Sequence, residues 1–287
     1  MGTVRTAKRI LRSGARLGAL ATSSLSMLPD FLIVGGKRCG STSLYRYVVR
    51  HPAILPCRVT KGTHYFDVNY LKGWSWYRSQ FPSRLRAGLA ERARGVPPIT
   101  GEASPYYMFH PLAPERIAGH LPEVKLIAVL RDPVIRAWSH YQYSVRRGFE
   151  HLPIEEALER ESGRLAGEDE RLRSDPAYQS FSHRHHTYLA RGRYAEHLES
   201  LSEHVPPSRV LVLQSEQMFA DPKQTLKLIF DFLGLEQVEL TGLPPYNAGS
   251  YDDMPAHVRA RLEAYYAEPN ARLYALPGVD FRWDRPA

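Results

Sequence analysis

The sequence predicts an α/β fold: a single domain with a central, mostly parallel sheet flanked by helices. Three short apolar segments at residues 31–34, 125–130 and 210–213 carry this prediction, because each reads as a buried strand. Each is followed by a turn and then by a segment with helical spacing, which is typical of parallel strands covered on both faces. No internal repeat divides the 287 residues, so one domain is the simplest interpretation.

The first predicted strand runs into Gly35-Gly36 and then into a helix that Pro52 ends. The second is followed by a helix with Pro133 in its first turn. After the third strand we predict a helix over residues 222–233, capped by Gly234. A final helix is expected over residues 256–267, ending before Pro269.

Charge and cysteine content limit the class of protein. The net charge of +8 at pH 7 favours an anionic ligand or surface. No recognisable nucleic-acid-binding module arranges this charge, so we expect no nucleic-acid partner. Two cysteines, Cys39 and Cys57, provide no disulfide framework, which indicates a reduced, cytoplasmic protein.

The N-terminal segment, residues 1–28, is basic and mildly apolar. Arg12 and Arg16 interrupt its apolar residues, so it is too broken for a transmembrane helix. We therefore expect a flexible tail ahead of a domain that spans residues 29–287. A peripheral membrane contact through residues 1–28 is left open as an alternative.

The segment Gly35-Gly-Lys-Arg-Cys-Gly40-Ser-Thr-Ser43 is predicted to hold phosphate-like oxygens. A glycine loop between a strand and a helix presents backbone N–H groups at the positive end of the helix dipole. The spacing is close to that of the P-loop of nucleotide hydrolases. However, Ser41 stands where that motif needs lysine, which disfavours an ATPase that uses Mg²⁺. Taken alone, the loop fits a plain glycine turn equally well.

A second segment, residues 130–141, places Arg131 at the end of a predicted strand. Ligands bind at this edge of open α/β sheets. Ser139 follows about two helical turns later, so both side chains can reach one phosphate. The alternative is a local ion pair between Arg131 and Asp132.

Together these two segments resemble those of sulfotransferases that use 3′-phosphoadenosine-5′-phosphosulfate (PAPS), especially the branch containing heparan sulfate and other carbohydrate sulfotransferases. The resemblance covers residues 31–283. Further segments follow in the family's order, at residues 61–67, 101–107, 188–198, 215–235, 246–251 and 270–274. The resemblance implies a sulfotransferase fold with a P-loop-like donor site. It also implies an enzyme of EC 2.8.2 type that moves a sulfuryl group from PAPS to a hydroxyl or amine of a saccharide or small-molecule acceptor, releasing 3′,5′-ADP.

The resemblance also implies residue roles. The first loop holds the 5′-phosphosulfate, and Arg131 and Ser139 hold the 3′-phosphate. The predicted donor-binding set is Lys37, Arg38, Cys39, Gly40, Ser41, Thr42, Ser43, Arg131, Ser139, Tyr194, Ser250 and Tyr251. The predicted acceptor-binding residues are Lys61, Glu102 and Tyr106.

At two positions the sequence departs from the family's pattern. Arg38 stands where the family has the donor-loop lysine, and Lys37 precedes it. Because arginine stays protonated, Arg38 would act on the leaving phosphate through its charge, and Lys37 is a second candidate. Gly62 stands where the carbohydrate branch has its catalytic glutamate.

A base is still needed, because a sugar hydroxyl is a poor nucleophile. His64 is predicted to be that base, with Asp67 three residues later orienting its ring. The alternatives are that His64 is structural and that Glu102, or no residue, acts as the base.

No metal is expected. The histidines at residues 183–186 lack partner cysteines or paired carboxylates, so we expect them on a polar surface. Two other functions stay open, a kinase-like phosphotransferase and a non-catalytic binder of nucleotide or sulfated glycan. The sequence determines neither the acceptor nor the oligomeric state.

Overall fold

The computed structural model describes residues 20, 22–58, 61–246 and 253–284. These residues form one α/β domain around a five-stranded parallel sheet with strand order β2-β3-β1-β4-β5. The predicted fold class is therefore confirmed. The strands are β1 (Phe31–Gly35), β2 (Ile54–Pro56), β3 (Ile99–Ala103), β4 (Lys125–Leu130) and β5 (Val210–Gln214).

Helices connect the strands and cover the sheet. In chain order they are α1 (Ser41–Val48), α2 (Trp74–Ser79), α3 (Arg84–Arg94), α4 (Ala113–His120), α5 (Pro133–Arg146), α6 (Ile154–Leu165), α7 (Glu168–Ser174), α8 (Phe181–His185), α9 (Tyr194–Ser202), α10 (Ser215–Ala220), α11 (Pro222–Leu233) and α12 (Ala256–Tyr274). Short 3₁₀ turns lie at Ser23–Leu25, Tyr70–Lys72, Ala190–Gly192 and Pro207–Arg209.

The central strand β1 is buried along its whole length. Its alternate side chains enter two apolar clusters on opposite faces of the sheet. Leu32 and Val34 pack in one cluster, and Phe31 and Ile33 pack in the other. Burial on both faces explains why β1 is a continuous apolar run in the sequence.

The order of the strands places a crevice beside β1. Strands β2 and β3 lie on one side of it, and β4 and β5 lie on the other. Chain connections therefore leave the carboxyl edge of the sheet in opposite directions next to β1, where open α/β sheets bind ligands. The two segments that follow β1 and β4 are those that the sequence predicts to bind the donor.

Helix α12 differs from the prediction that it ends before Pro269. It continues to Tyr274 with Pro269 inside it, so the predicted end was wrong. Pro269 removes one backbone donor, which ordinarily weakens a helix. Here Pro269, Tyr266 and Leu273 are all buried. Their packing outweighs the lost hydrogen bond.

Residues 22–28 lie against the domain. The backbone N–H of Met27 donates to the carbonyl of Pro82, and Ser26 forms an antiparallel bridge with Ser83. The boundary at residue 28 and the flexibility of residues 1–28 stay predictions, since residues 1–19 lie outside the described part of the chain. Of the helices within the described ranges, none is long and apolar enough to cross a membrane.

Candidate active site

The donor loop, residues 36–40, joins the end of β1 to the start of α1. Gly40 has a φ of 88°, and a Cβ atom there would lie 2.6 Å from Cε of Met218. Only glycine adopts this positive φ without strain and also leaves Met218 in place. Because the first N–H groups of a helix have no partner within it, the start of α1 offers backbone donors to an anion.

A cleft of about 1410 Å³ lies beside this loop. Six predicted donor-binding residues line it: Arg38, Gly40, Ser41, Thr42, Arg131 and Ser139. Aromatic side chains complete the lining, among them Phe219, Tyr246, Tyr274, Phe281 and Trp283. Three carboxylates, those of Asp132, Glu216 and Asp280, also line the cleft. Cationic, hydroxyl and aromatic groups together on one lining suit a nucleotide.

Arg38 connects the loop to the predicted phosphate site. Its Nε donates to Ser139 Oγ at 3.1 Å, and its guanidinium lies 5.0 Å from the centre of the Tyr143 ring. Arg131 approaches the Arg38 carbonyl, with Nη1 at 3.5 Å. The two side chains predicted to hold the 3′-phosphate therefore converge on Arg38.

Three other predicted donor-binding residues, Cys39, Ser43 and Tyr194, are buried behind the cleft lining. Tyr194 donates to the Arg131 carbonyl at 2.9 Å, and its oxygen lies 3.7 Å from Cys39 Sγ. Ser43 Oγ accepts a hydrogen bond from the backbone N–H of Tyr246 at 2.8 Å. These contacts hold the loop and its neighbours in place. Ser250 and Tyr251 lie outside the described residues, so their predicted role stays a prediction.

Lys37 is not among the residues that line the cleft. Its Nζ donates to the Arg184 carbonyl at 2.7 Å. Burial, followed by the charges of Arg191, Arg136 and Arg184, lowers the pKa of Lys37 well below its ordinary value. Lys37 is therefore engaged by the segment that carries Arg184, whereas Arg38 lines the cleft.

Sequence reasoning missed the cations that surround Lys37. Arg136 is fully buried and Arg191 is 4% exposed. Arg191 is held by Thr187 and by the His183 carbonyl, and Arg136 by the Tyr188 carbonyl. Because these positive charges lie behind the donor loop, they strengthen its field for anions. Both residues belong to segments that resemble the family, but no spacing rule tells a buried helical arginine from an exposed one.

His64 and Asp67 form a hydrogen-bonded pair. His64 Nδ1 lies 2.8 Å from Asp67 Oδ2, and the Asp67 side chain is fully buried while that of His64 is 40% exposed. A proton on Nδ1 that is held by the carboxylate leaves Nε2 as a free acceptor. Burial lowers the pKa of His64, but the hydrogen bond and charge of Asp67, with the charge of Glu102, outweigh it and raise the pKa above its usual value.

Both Arg38 and His64 adopt left-handed backbone conformations, with φ of 71° and 51°. They are the two residues other than glycine that do so within the described ranges. Such a conformation costs a non-glycine residue about 1–3 kcal/mol and persists where the surroundings impose it, which is common at functional sites. For His64 the constraint includes a hydrogen bond from its N–H to Ser104 Oγ at 3.0 Å.

Glu102 supports the segment that carries His64. Its fully buried carboxylate accepts hydrogen bonds from Thr63 N, Thr63 Oγ1, Ser104 Oγ and Tyr107 OH, at 2.6 to 2.8 Å. Burial raises the pKa of this carboxyl group. With its acceptor sites used inside the protein, Glu102 is placed to hold the segment rather than to face an acceptor.

The other two predicted acceptor-binding residues differ in their surroundings. Lys61 is half-buried, and burial lowers its pKa to about 8. Tyr106 is buried, and its hydroxyl lies 2.7 Å from Nδ1 of His183. The expectation that residues 183–186 line a polar surface was wrong for His183, which is buried and also lies 3.1 Å from Asp169.

Gly62 leaves no room for a side chain. A Cβ atom there would lie 2.1 Å from the Ala103 carbonyl oxygen. The approach is close because the segment continues the hydrogen bonding of β3, with Ala103 N donating to the Lys61 carbonyl at 2.7 Å. A glutamate could not occupy this position without a shift of the backbone.

The His64 segment and the donor loop meet at the same edge of the sheet. Ser104, which binds the His64 N–H, itself donates to the Ile33 carbonyl of β1. Arg184 acts electrostatically on His64, and its carbonyl holds Lys37 of the donor loop. The predicted base and the donor loop therefore face one neighbourhood, although His64 is not among the residues that line the cleft.

A family profile described as "Sulfotransferase domain" matches residues 28–242, most of the chain. The chain belongs to the sulfotransferase family. Heparan sulfate glucosamine 3-O-sulfotransferase 6 of Mus musculus is 30% identical to it, over 89% of this chain and 74% of that protein. Heparan sulfate glucosamine 3-O-sulfotransferase 3A1 of Homo sapiens is 29% identical, over 93% of this chain and 65% of its own length. The chain thus spans about two thirds of the length of several relatives that it matches.

A solved sulfotransferase from Alicyclobacillus acidocaldarius has the same fold. It is 28% identical, with a TM-score of 0.63, and the match covers 89% of this chain and 98% of that one. The predicted family and the predicted sulfotransferase class of enzyme are confirmed. The roles of individual residues stay predictions, and the distances given above name the contacts through which each residue would act.

Proposed function

We propose that this sulfotransferase moves a sulfuryl group from PAPS to a hydroxyl or amine of a saccharide-type acceptor. One observation supports the donor most directly: the start of α1, Arg38, Arg131 and Ser139 converge on one cleft. A nucleotide with phosphate groups needs cationic partners, and Arg38, Arg131 and the start of α1 supply them in this cleft. The similarity to 3-O-sulfotransferases named for heparan sulfate favours a saccharide acceptor.

PAPS supplies a sulfuryl group already activated as a mixed anhydride of phosphate and sulfate. Around it, the backbone N–H groups at the start of α1 and the Arg38 guanidinium would stabilise the negative charge that forms on the leaving phosphate. Arg131 and Ser139 would fix the other phosphate and so orient the donor. Transfer would be in line and would need no covalent enzyme intermediate.

His64 would accept the acceptor's proton at Nε2. Asp67, whose Oδ2 lies 2.8 Å from Nδ1, would hold the Nδ1 proton, fix the ring and stabilise the charged imidazole once the proton has moved. The acceptor oxygen or nitrogen then forms its bond to sulfur as the bond from sulfur to the bridging oxygen breaks. The electron pair of that bond stays with the phosphate.

The donor site is tested by titrating the protein with 3′,5′-ADP in a calorimeter. Replacing Arg131 by alanine is expected to weaken binding by about 30- to 100-fold, because a charged partner of a phosphate is lost. Ser139→Ala should weaken it less. Arg209→Ala is the matched control, because Arg209 pairs with Glu123 on the surface and does not line the cleft.

Unweakened binding by the Arg131 variant would contradict the predicted phosphate site. Binding of ATP with Mg²⁺ in place of 3′,5′-ADP would favour a kinase-like activity. Tight binding of 3′,5′-ADP with no turnover of PAPS over a broad panel of acceptors would favour a non-catalytic binder, which the glycine at position 62 makes a specific alternative. A cytoplasmic location stays a prediction.

A further inference from the structure

Helix α3 exposes leucines where a helix on the surface of a protein usually exposes polar groups. Leu85 is 77% exposed and Leu89 is 59% exposed, and no residue of the helix is buried. The two leucines are four residues apart and therefore lie on one face. That face points away from the protein, because the half-buried residues Ala87 and Ala90 lie on the opposite side of the helix.

Arginines flank this leucine face. Arg84 and Arg86 lie on either side of Leu85 around the helix, and Arg92 lies one turn beyond Leu89. Within the described ranges, no carboxylate lies at ion-pair distance from any of the three. An outward apolar stripe bordered by unpaired guanidinium groups is the pattern of a helix that lies on an anionic lipid surface.

The surroundings of α3 extend this pattern. The bridge between Ser26 and Ser83 places the 3₁₀ turn at Ser23–Leu25 beside the start of α3, and Leu25 is 60% exposed. The chain that leads into this turn is cationic, because residues 1–19 contain five basic residues and no acidic one. The exposed Leu25 therefore lies near the start of α3, and the sequence ahead of the turn is basic.

Helix α3 lies at the amino edge of the sheet, opposite the carboxyl edge that carries the donor loop. Helix α3 leads into the amino end of β3, whereas the donor loop follows the carboxyl end of β1. A surface that covered α3 would leave the cleft open to donor and acceptor. Docking there is thus compatible with turnover.

We propose that α3 docks the protein on an anionic membrane surface, with Leu85 and Leu89 entering the interface and Arg84, Arg86 and Arg92 contacting lipid headgroups. Leucine side chains that leave water contribute apolar burial, and each nearby arginine adds attraction to anionic lipid. This proposal is independent of the proposed function, because it concerns residues outside the cleft.

The test is flotation of the full chain with vesicles of phosphatidylcholine alone and with vesicles that also contain phosphatidylglycerol. The chain is expected to float with the anionic vesicles only, and added salt should release it. The double variant Leu85→Gln, Leu89→Gln should lose about tenfold or more in vesicle affinity. Glutamine favours helices as leucine does, so the fold should persist. Leu228→Gln, at an exposed position of α11, is the control and should bind as the wild type does.

The proposal would be overturned if the wild type did not bind anionic vesicles, or if the double variant bound them as tightly as the wild type. A wild-type dimer that dissociates in the double variant, without vesicle binding, would assign the face to a second copy of the chain instead. Titration with 3′,5′-ADP separates the two proposals, because the double variant should keep donor affinity whatever the vesicles show.

Discussion

Replacing His64 by alanine is expected to lower kcat by about 10²–10⁴-fold, because the acceptor's proton then has no positioned base. Affinity for 3′,5′-ADP should stay within about twofold of the wild type, since His64 does not line the donor cleft. Single-turnover sulfation with a saccharide acceptor measures the first quantity, and calorimetry measures the second. His204→Ala, at an exposed position on the chain after α9, is the matched control.

The pH dependence tests the same assignment. His64 Nε2 must be unprotonated to accept a proton, so kcat/KM should rise with pH through the raised pKa of His64. Removing the Asp67 charge in Asp67→Asn takes away the interaction that favours the charged ring. The pKa of His64 should then fall, so the acidic limb of the pH profile of kcat/KM should move to lower pH. The maximal rate should also drop. An acidic limb that stays in place in Asp67→Asn would assign the base to another group.

Replacing Gly62 by alanine is expected to destabilise the protein by about 1–3 kcal/mol, because the new Cβ would overlap the Ala103 carbonyl oxygen. Tm in thermal unfolding should fall by several degrees. Activity should also fall, since the displaced segment carries His64 two residues later. Gly163→Ala is the matched control: its Cβ would meet open space on α6, and alanine favours helices.

An unchanged Tm in the Gly62 variant would mean that the segment shifts freely. In that case the Gly62→Glu variant could carry the glutamate that the carbohydrate branch has at this position. The rate of sulfation by this variant in a His64→Ala background would show whether that carboxylate can replace His64. A large loss of Tm with alanine alone would instead show that the backbone at residue 62 excludes a side chain, and with it a glutamate base at that position.

The sequence predicted those parts of the fold whose chemical signal is local. Strands β1 and β4 are buried on both faces, so their apolar runs stand out. Strand β2 has three residues, and β3 carries the buried polar pair Thr100 and Glu102, so neither shows such a run. The burial of β3 depends on hydrogen bonds from distant residues such as Thr63, which no local pattern encodes.

In the candidate site, too, local contacts could be predicted from the sequence and contacts between distant residues could not. The pairing of His64 with Asp67 follows from a spacing of three residues, and the structure places the two groups at 2.8 Å. The direction of Lys37 does not follow from its neighbours, because its partner is the carbonyl of Arg184, far along the chain. The burial of Arg136 and Arg191 is likewise a product of tertiary packing.

The central position of β1 also orders the events of folding. Phe31 is made early, but it pairs with Gly101 and Lys125, which are made much later. Closing such long loops before their contacts form is entropically unfavourable and slows folding. The donor loop therefore cannot take its final shape in a nascent chain until β4 has been synthesised, and a fragment that ends before Leu130 should hold no nucleotide.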